Sequence, residues 1–338
     1  MDTAGQLINV AGVVMLLRDI TQADEAALVK LHHQVFDSGV TEDWFHWKYR
    51  SGKGQGVGLW LNDEMIAFCG GVPRNFCHLG KTHQQIQIGD VMVRPDWRGV
   101  LTKHGPFFHV SKAFYLSRIG SNKAFEAGFG FPSSRHLRLA IKLNLLEQVG
   151  EMYELAWHTS TPTNKTSFTP QAWSWRCESL DLLDPSADLC INTCWQRMRA
   201  SMPQHLIGER HADYIRWRYQ QRPGTEHIYL AIKRFWQRQP VGIAIFSCQV
   251  DGKSTRWLDW IGRPQDLPMA ATLCWQTLER AGQSSMVIWA SNQVAEYLTP
   301  IANTKHFVTP IGAPCVSAFC EPRDQLPWWF MGGDTDFL

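Results

Sequence analysis

Three short blocks of sequence recur in the same order in the two halves of this chain, at offsets of about 170 residues. One such match arises easily by chance, but three that agree in order and spacing indicate an internal duplication. The chain is therefore expected to repeat one element order, with a hydrophobic core in each half. The paired blocks are Asp43 to Tyr49 with Asp213 to Tyr219, Gly80 to Thr82 with Gly252 to Ser254, and Asp90 to Pro95 with Asp259 to Pro264.

The length of the chain agrees with a duplication. Its 338 residues exceed one ordinary domain, and surface-to-volume scaling favours two cores of about 150 residues each. Residues 158–171 are rich in Thr, Ser and Pro and have no apolar periodicity, which is typical of a linker. We therefore predict a first domain over residues 1–157 and a second over residues 172–338.

Composition excludes several classes of protein. Hydrophobic residues make up 44% of the chain and the formal net charge is +2, so nothing attracts the whole protein to nucleic acid or an anionic membrane. No apolar run approaches the roughly 20 residues that span a bilayer. The nine cysteines include no CxxC pair, which favours reduced thiols and no metal site. We expect a cytoplasmic protein without nucleic-acid, membrane or metal partners.

The first half is predicted to open with a strand and two helices, continue as an antiparallel meander, and end with a helix, a strand and a helix. Thr21 and Asp24 have capping-box spacing ahead of the first helix. The predicted strands are residues 13–17, 58–61, 65–71, 85–93 and 123–131. The first and third predicted helices carry Leu28, Leu31 and Val35, and Phe107, Val110 and Phe114, while the second and fourth cover residues 41–49 and 134–143.

The run from Val93 to Gly99, VRPDWRG, follows the meander directly. With the element order, it resembles the GNAT acyltransferase superfamily, whose fourth strand ends in a V-x-P-x-x-R-G-x-G-x-G/A segment. The resemblance covers nearly all of residues 1–155 and reaches residues 172–325 only through the repeat. It implies an α+β (mixed α/β) fold with two GNAT-like domains in tandem, each a mostly antiparallel twisted sheet flanked by helices. The second half has no Arg-Gly after Pro264, so its site is expected to be lost.

In that superfamily, main-chain amides of the segment hold the coenzyme A pyrophosphate, because unpaired N–H groups and the helix dipole at a helix start favour negative charge. The resemblance therefore implies acetyl-CoA or another acyl-CoA as co-substrate. The second and third glycines of the pattern are missing here. Either the loop reaches the same cradle by a longer path, with Pro106 opening the next helix, or tight coenzyme binding is lost. The implied contacts are Met92 and Val93 for the thioester and Arg98, Gly99, Val100, Leu101, Thr102 and Lys103 for the pyrophosphate.

Proton transfer in the superfamily commonly uses a carboxylate on the fourth or fifth strand, which implies Asp90 and Glu126 as catalytic candidates. Either carboxylate can instead be a structural partner. Asp90 has a counterpart, Asp259, in the half without the loop, and this favours a structural role. The usual acid is a tyrosine in the last helix, where Ala140 stands here. Tyr153 or the acidic C-terminal segment are the alternatives.

The leading hypothesis is an N-acyltransferase, in the simplest case an N-acetyltransferase, that modifies the amine of a small molecule or peptide. The alternative from another class is a non-catalytic module that binds or senses acyl-CoA. A third possibility resembles the Fem aminoacyl transferases, but the weak overall charge and the absence of a basic helical insertion argue against it. The acceptor, the acyl length and the oligomeric state stay open.

Overall fold

The computed structural model describes residues 5–36, 40–159, 174–248, 252–319 and 326–335. Within this part of the chain, no helix combines the length and apolar character that crossing a membrane requires. Of the predicted linker, only residues 158 and 159 are described, so the linker stays a prediction.

Contacts divide the chain into two compact units. Unit 1 comprises residues 1–75, 83–149 and 310–325, and unit 2 comprises residues 76–82, 150–309 and 326–338. This division differs from the predicted domains, residues 1–157 and 172–338, because the chain crosses between units within long strands. The clearest examples are strands β7 (Leu146–His158) and β14 (Thr304–Pro314), whose residues are shared between the units.

Unit 1 is built on strands β1 to β6, which lie in chain order. The first three neighbouring pairs are antiparallel, whereas β5 and β6 are parallel. The predicted strand at residues 123–131 is shorter than expected, because the amide of Lys123 closes a turn on the carbonyl of Gly120. The strands are β1 Gln6–Val10, β2 Val13–Asp19, β3 Gln55–Leu61, β4 Glu64–His78, β5 Lys81–Val93 and β6 Ala127–Phe129.

Four helices of unit 1 agree with the sequence pattern. Asp24 accepts hydrogen bonds from the Thr21 amide and from Arg18, both at 2.7 Å, so the predicted capping box forms. Leu28 and Leu31 are buried, as their spacing predicts. The helices are α1 Glu25–Val35, α2 Glu42–Phe45 with a π-helical continuation His46–Ser51, α3 Pro106–Arg118 and α4 Ser134–Lys142.

One core of unit 1 lies between α3 and the meander. Val110 and Phe114 of α3 pack with Ile66 and Cys69 of β4, and all four are fully buried. Burial of each large apolar side chain contributes roughly 1.5–3 kcal/mol relative to its exposure. The same burial raises the pKa of the Cys69 thiol to about 12.

Unit 2 contains a second mostly antiparallel sheet, with the strand order β14-β7-β13-β12-β11-β10-β8. Its strands β12 and β13 are parallel, as β5 and β6 are in unit 1. The predicted fold class, with two mostly antiparallel sheets flanked by helices, is confirmed. The remaining elements are β8 Trp175–Ser179, α5 Ala187–Ser201, β9 Leu206–Gly208, α6 Ala212–Ile215 with a π-helical continuation Arg216–Gln220, β10 His227–Arg234, β11 Gly242–Cys248, β12 Ser254–Gly262, α7 Leu267–Arg280, β13 Ser285–Ser291, α8 Asn292–Leu298 and β15 Trp328–Trp329.

The repeated blocks meet through the same contact in each unit. The hydroxyl of Tyr49 donates to Asp90 at 2.6 Å, and the hydroxyl of Tyr219 donates to Asp259 at 2.9 Å. Each tyrosine lies in a π-helical turn and each aspartate in the strand that pairs in parallel with the next one. The first and third blocks of the duplication therefore occupy equivalent places in the two units.

The segment at residues 326–335 is part of the interior of unit 2. Trp328 and Trp329 pair in parallel with β9, and Met331 forms a bridge with Ala290 of β13. Asp334 accepts a 2.6 Å hydrogen bond from Arg210, whose Nε donates to Asp259 at 2.7 Å. All three charged side chains are at most 1% exposed, so one guanidinium balances two buried carboxylates.

Loss of this guanidinium is expected to be costly. Arg210→Met leaves Asp259 and Asp334 buried without a counter-ion, so we expect a loss of about 3–5 kcal/mol in the free energy of unfolding. Burial raises the pKa of Asp259. The loss should therefore shrink from about pH 7 to about pH 4, as the variant carboxylates take up protons that the unfolded chain does not bind.

Urea denaturation at several pH values measures this loss. The matched control is Lys30→Ala, which breaks the exposed Lys30–Glu64 pair and should cost less than about 1 kcal/mol. Equal losses in the two variants would contradict the assignment.

Candidate functional site

The parallel strands β5 and β6 pair over only three residues. Gln85, Ile86 and Gln87 lie opposite Ala127, Gly128 and Phe129, and β5 then continues to Val93 without β6, with β4 as its neighbour on the other side. After β6, Gly130 bridges to Gly312 instead. The two strands therefore part, and the far end of β5 presents main-chain groups that β6 does not use.

Asp90 lies on the part of β5 beyond its pairing with β6, in a left-handed conformation with φ of 53°. Besides Tyr49, it contacts the buried ammonium of Lys48 at 2.8 Å. Both contacts fall on Oδ2, and among the described residues Oδ1 accepts no hydrogen bond. The aspartate is thus held firmly by one oxygen, while the other is available.

Met92 and Val93 end the strand, where they were predicted to contact the thioester. The side chain of Met92 is 1% exposed and packs with Phe45 and Phe68. The chain beyond them returns to the sheet, because the Arg94 amide donates to the Ile66 carbonyl at 2.9 Å. Any contact of Met92 with a ligand must therefore use its main chain.

The loop after β5 begins with a single 3-10 turn, Pro95–Trp97, and ends at Pro106, the first residue of α3. Residues 98–104 are largely exposed. Within the described chain, the amides of residues 99–103 form no hydrogen bonds, and neither do those of Phe107 and Phe108 in the first turn of α3. Seven N–H groups are therefore available to an anion at this loop and helix start.

Three contacts shape this loop. The Arg98 guanidinium donates to the Val93 carbonyl at 3.0 Å, and the Gly105 amide donates to the Thr102 carbonyl at 3.0 Å. A Cβ atom added to Gly105 would lie 1.9 Å from the Val100 carbonyl oxygen, so only glycine fits. Arg98 was predicted as a phosphate ligand, but in this structure its side chain ties the loop to the end of β5.

Basic residues lie around the helix start. Lys103 and His104 are exposed in the loop, and Lys112 is exposed on α3. Burial lowers the pKa of His109, and His104 and Lys112 lower it further, so its imidazole is neutral at pH 7. The loop thus has a positive potential together with its unpaired amides, and these properties fit a pyrophosphate.

Glu126 lies far from this loop. Its amide donates to the Gln84 carbonyl, and its carboxylate contacts His83 at 2.7 Å. The parallel register places it near the start of β5, about 30 Å along the strand from Val93 at 3.3 Å per residue. The structure therefore brings Asp90, Met92 and Val93 to one end of the strand and leaves Glu126 at the other.

The two alternative proton donors, Tyr153 and the C-terminal segment, also have other partners. Ala140 has no titratable group and is fully buried. Tyr153 donates to Glu151, which raises the pKa of the phenol to about 12. In the C-terminal segment Asp334 is bound to Arg210 and buried, and Asp336 to Leu338 lie outside the described residues.

Unit 2 has no comparable loop in its described part. The 3-10 turn Pro264–Asp266 leads directly into α7, and Arg263 pairs with Asp266 at 2.8 Å. The opening between β12 and β13 is occupied by residues 328–334, since Ser291 of β13 bonds the main chain of Trp328 and Phe330. The predicted loss of a cradle in the second half therefore has a physical counterpart.

Sequence reasoning missed Lys48 and Tyr49 as partners of Asp90. A signal existed in the repeat, because a tyrosine precedes the aspartate by 41 residues in one half and by 40 in the other. Recognising it requires knowledge that the helix and the strand meet in space.

Searches with the sequence found no matching protein-family model and no matching curated protein. Solved structures do match in fold. A GCN5-related N-acetyltransferase from Anabaena variabilis is 16% identical, with a TM-score of 0.63 over 89% of this chain and 73% of that one. A protein from Enterococcus faecalis, described as a probable N-acyltransferase, is 12% identical, with a TM-score of 0.65 over 88% of this chain and 71% of that one.

The chain has the GNAT fold. N-myristoyltransferase from Saccharomyces cerevisiae is a further match, at 8% identity and a TM-score of 0.54 over 88% of this chain and 80% of that one. At these identities the likeness concerns the GNAT fold alone. No group of three or more His, Cys, Asp or Glu side chains in the described part of the chain is placed to hold a metal ion.

The two loop glycines provide a matched pair of substitutions. Gly105→Ala should displace the loop, because its new Cβ would overlap the Val100 carbonyl, whereas Gly99→Ala meets open space. We expect hydrogen exchange at the hydrogen-bonded amides of Arg98, His104 and residue 105 to accelerate by about 10-fold or more in Gly105→Ala and to stay unchanged in Gly99→Ala. Mass spectrometry of exchanged peptides measures this. Identical exchange in both variants would show that the loop is not held as described.

Proposed function

We propose that the protein is an acyl-CoA-dependent N-acyltransferase that modifies an amine of a small molecule or peptide. The observation that carries the proposal is the set of unpaired amides between Gly99 and Lys103, next to the start of α3. Unpaired N–H groups and the dipole at a helix start form an anion site without any special side chain. The longer path of the loop, one of the two alternatives left by the sequence, fits such a cradle.

In this proposal the residues of the loop have two roles: some contact the pyrophosphate, and Arg98 holds the loop in place. The amides of residues 99–103 would bind the pyrophosphate, and Lys103 would add charge. Arg98 acts through the loop, because its bond to the Val93 carbonyl holds the cradle against the end of β5. Bound acyl-CoA would supply an activated thioester.

Of the main-chain amides at Met92 and Val93, that of Val93 is suited to stabilise the charge that develops on the acyl oxygen, because the next amide, that of Arg94, faces β4 and successive strand amides alternate in direction. Such preorganised donors commonly contribute 10²–10³-fold to the rate of an acyl transfer. The acceptor nitrogen forms a bond to the acyl carbon, the carbon–sulfur bond breaks, and the nitrogen loses a proton. Asp90 is the candidate for that proton through Oδ1, since Oδ2 is engaged by Lys48 and Tyr49.

One observation favours the non-catalytic alternative. Asp259 makes the same tyrosine contact in unit 2, where no cradle lies beside it. If Asp90 had only this structural role, unit 1 would bind acyl-CoA without transferring the acyl group. Binding and turnover must therefore be tested separately.

Calorimetric titration with acetyl-CoA tests the cradle. The unmodified protein should bind saturably, and Arg98→Glu and Gly105→Ala should each weaken binding by about 10-fold or more, or 1.4 kcal/mol. Lys123→Glu makes the same charge reversal in the exposed turn before β6 and should leave affinity unchanged. Absence of binding to any acyl-CoA would refute the proposal.

Thiol release in the presence of a panel of amines tests the chemistry. Asp90→Asn should lower the rate by about 10²-fold or more while acetyl-CoA affinity is retained, because loss of a general base typically costs this much. Glu126→Gln should have no effect, since its amide bonds the Gln84 carbonyl near the start of β5, far along that strand from Val93. If the rate instead depended on Glu126, the assignment of the base would be wrong.

A further inference from the structure

The connection between β10 and β11 carries two adjacent exposed aromatic side chains. Phe235 and Trp236 are 69% and 63% exposed. Of the tryptophans that the structure describes, Trp236 is the one that is exposed, since the others lie wholly or partly in the interior. Large apolar rings are unfavourable in water, and a contiguous pair of them commonly marks a contact surface.

Neither aromatic residue is required by the local backbone. The amide of Gln237 donates to the carbonyl of Arg234 at 2.9 Å, so Phe235 and Trp236 are the two central residues of a β-turn. Such positions usually hold Gly, Pro, Asn, Asp or Ser, because these residues favour turn conformations. Two large rings at the tip of this turn therefore indicate a contact outside the chain.

The turn is held in place at its base. The amide of Phe235 donates to the carbonyl of Ser174 at 2.8 Å, and the guanidinium of Arg197 on α5 donates to the carbonyl of Pro240 at 2.9 Å. Pro240 is buried, whereas residues 235–238 are all exposed. Because the base is fixed, little backbone entropy is lost when the tip binds a partner.

Basic residues flank the two rings. The end of β10 and the loop contribute Lys233, Arg234 and Arg238, and Arg176 of β8 lies opposite Lys233. Residues 175–179 and 233–241 contain one acidic side chain, Glu178, which pairs with Lys233 at 2.8 Å and with Arg176 at 3.0 Å. Four basic groups and one carboxylate leave a local excess of three positive charges. The whole-chain net charge of +2 conceals this excess.

Two of these arginines have no ion pair in the part of the chain that the structure describes. The guanidinium carbon of Arg234 lies 4.3 Å from the ring centre of Trp175, and Arg238 is exposed. A contact with an aromatic ring does not neutralise the charge of a guanidinium. Both charges are therefore available to an anionic partner.

We propose that the turn at residues 235–238 is a docking site for an anionic membrane surface. Phe235 and Trp236 would enter the boundary between lipid headgroups and acyl chains, where the rings leave water and the indole N–H keeps a polar environment. The basic groups around them would meet the negatively charged headgroups.

Charge and shape favour this partner over two others. A second copy of the chain would bring the same positive charges against one another, so pairing through this turn is disfavoured. Proteins bind single-stranded nucleic acid in basic grooves whose ring faces stack on the bases. The two rings here stand instead at the tip of a turn whose next two residues are also exposed.

Flotation of the full chain with lipid vesicles tests the proposal. We expect saturable binding to an equimolar mixture of phosphatidylcholine and phosphatidylglycerol, and binding about 10-fold weaker or less to phosphatidylcholine alone. Each basic side chain near an anionic surface contributes about fivefold to the affinity. Raising the salt concentration from about 0.1 M to about 0.5 M should weaken only the binding to the anionic vesicles.

Two double variants separate the contributions of the rings and of the charges. Phe235→Ser with Trp236→Ser should abolish binding to both kinds of vesicle. Arg234→Gln with Arg238→Gln should weaken binding to the anionic vesicles by about 10-fold or more and leave binding to phosphatidylcholine unchanged.

The matched control is Phe307→Ser with Arg280→Gln. It removes one exposed aromatic ring and one exposed arginine elsewhere in unit 2, and it should bind vesicles as the unmodified protein does. Because all these variants change side chains at the surface, their melting temperatures should stay close to that of the unmodified protein.

Quenching of tryptophan fluorescence by brominated lipids reports the contact directly. Anionic vesicles that contain brominated lipid should quench part of the fluorescence of the unmodified protein. Trp236→Phe keeps an aromatic ring at the tip, so it should bind with similar affinity and lose that quenching. Equal quenching in the two proteins would show that the tip does not enter the lipid and would overturn the proposal.

Absence of binding to the anionic vesicles would also overturn the proposal, and so would an equal loss in the control variant. Binding to a single-stranded oligothymidylate in place of vesicles, lost in the same tip variants, would assign the turn to nucleic acid instead. None of these measurements uses acyl-CoA, so their outcome does not depend on the proposed enzymatic function.

Discussion

A hydrogen bond from a tyrosine hydroxyl to a strand aspartate orders both units of this protein. The tyrosine comes from a π-helical turn, where one extra residue rotates the end of the helix towards the sheet. In unit 1 the aspartate has left-handed backbone, which costs an L-residue roughly 1–2 kcal/mol. Such a conformation persists where its surroundings hold it, and Tyr49 and Lys48 do so for Asp90. Helix, strand and the loop that follows are thereby fixed relative to one another.

The two units diverge around this common contact. Asp90 is balanced by Lys48, whereas Asp259 is balanced by Arg210. The position that corresponds to Lys48 is Arg218, whose guanidinium donates to the carbonyls of Gly333 and Thr335. One basic position of the repeat thus neutralises an aspartate in unit 1 and anchors a chain segment in unit 2. The two units differ in the same region of the fold. In unit 1 the loop at residues 98–105 is exposed, whereas in unit 2 residues 328–334 occupy the opening between β12 and β13.

Two buried ion pairs of this chain are accounted for by their partners. Arg210 has carboxylates on two sides, and the ammonium of Lys48 contacts Asp90. Since desolvation of a charged group costs free energy unless a partner compensates, each pair persists only while both partners are present.

Much of the architecture was already determined by the sequence. Apolar spacing predicts α1, α3 and α4, the capping residues predict where α1 begins, and the repeated blocks predict that the two halves share an element order. These features depend on residues close in sequence, so periodicity and local hydrogen bonding suffice to read them. The candidate cradle was also located by sequence, at the residues after Val93, because a helix start and its preceding loop are local.

Tertiary structure alone decided the remaining features. It showed that Glu126 lies near the start of β5, away from Val93, and that β7 and β14 are shared between units. It also paired Tyr49 with Asp90. Each of these depends on strand register and on contacts between residues distant in sequence, and no local pattern records which strands will lie side by side.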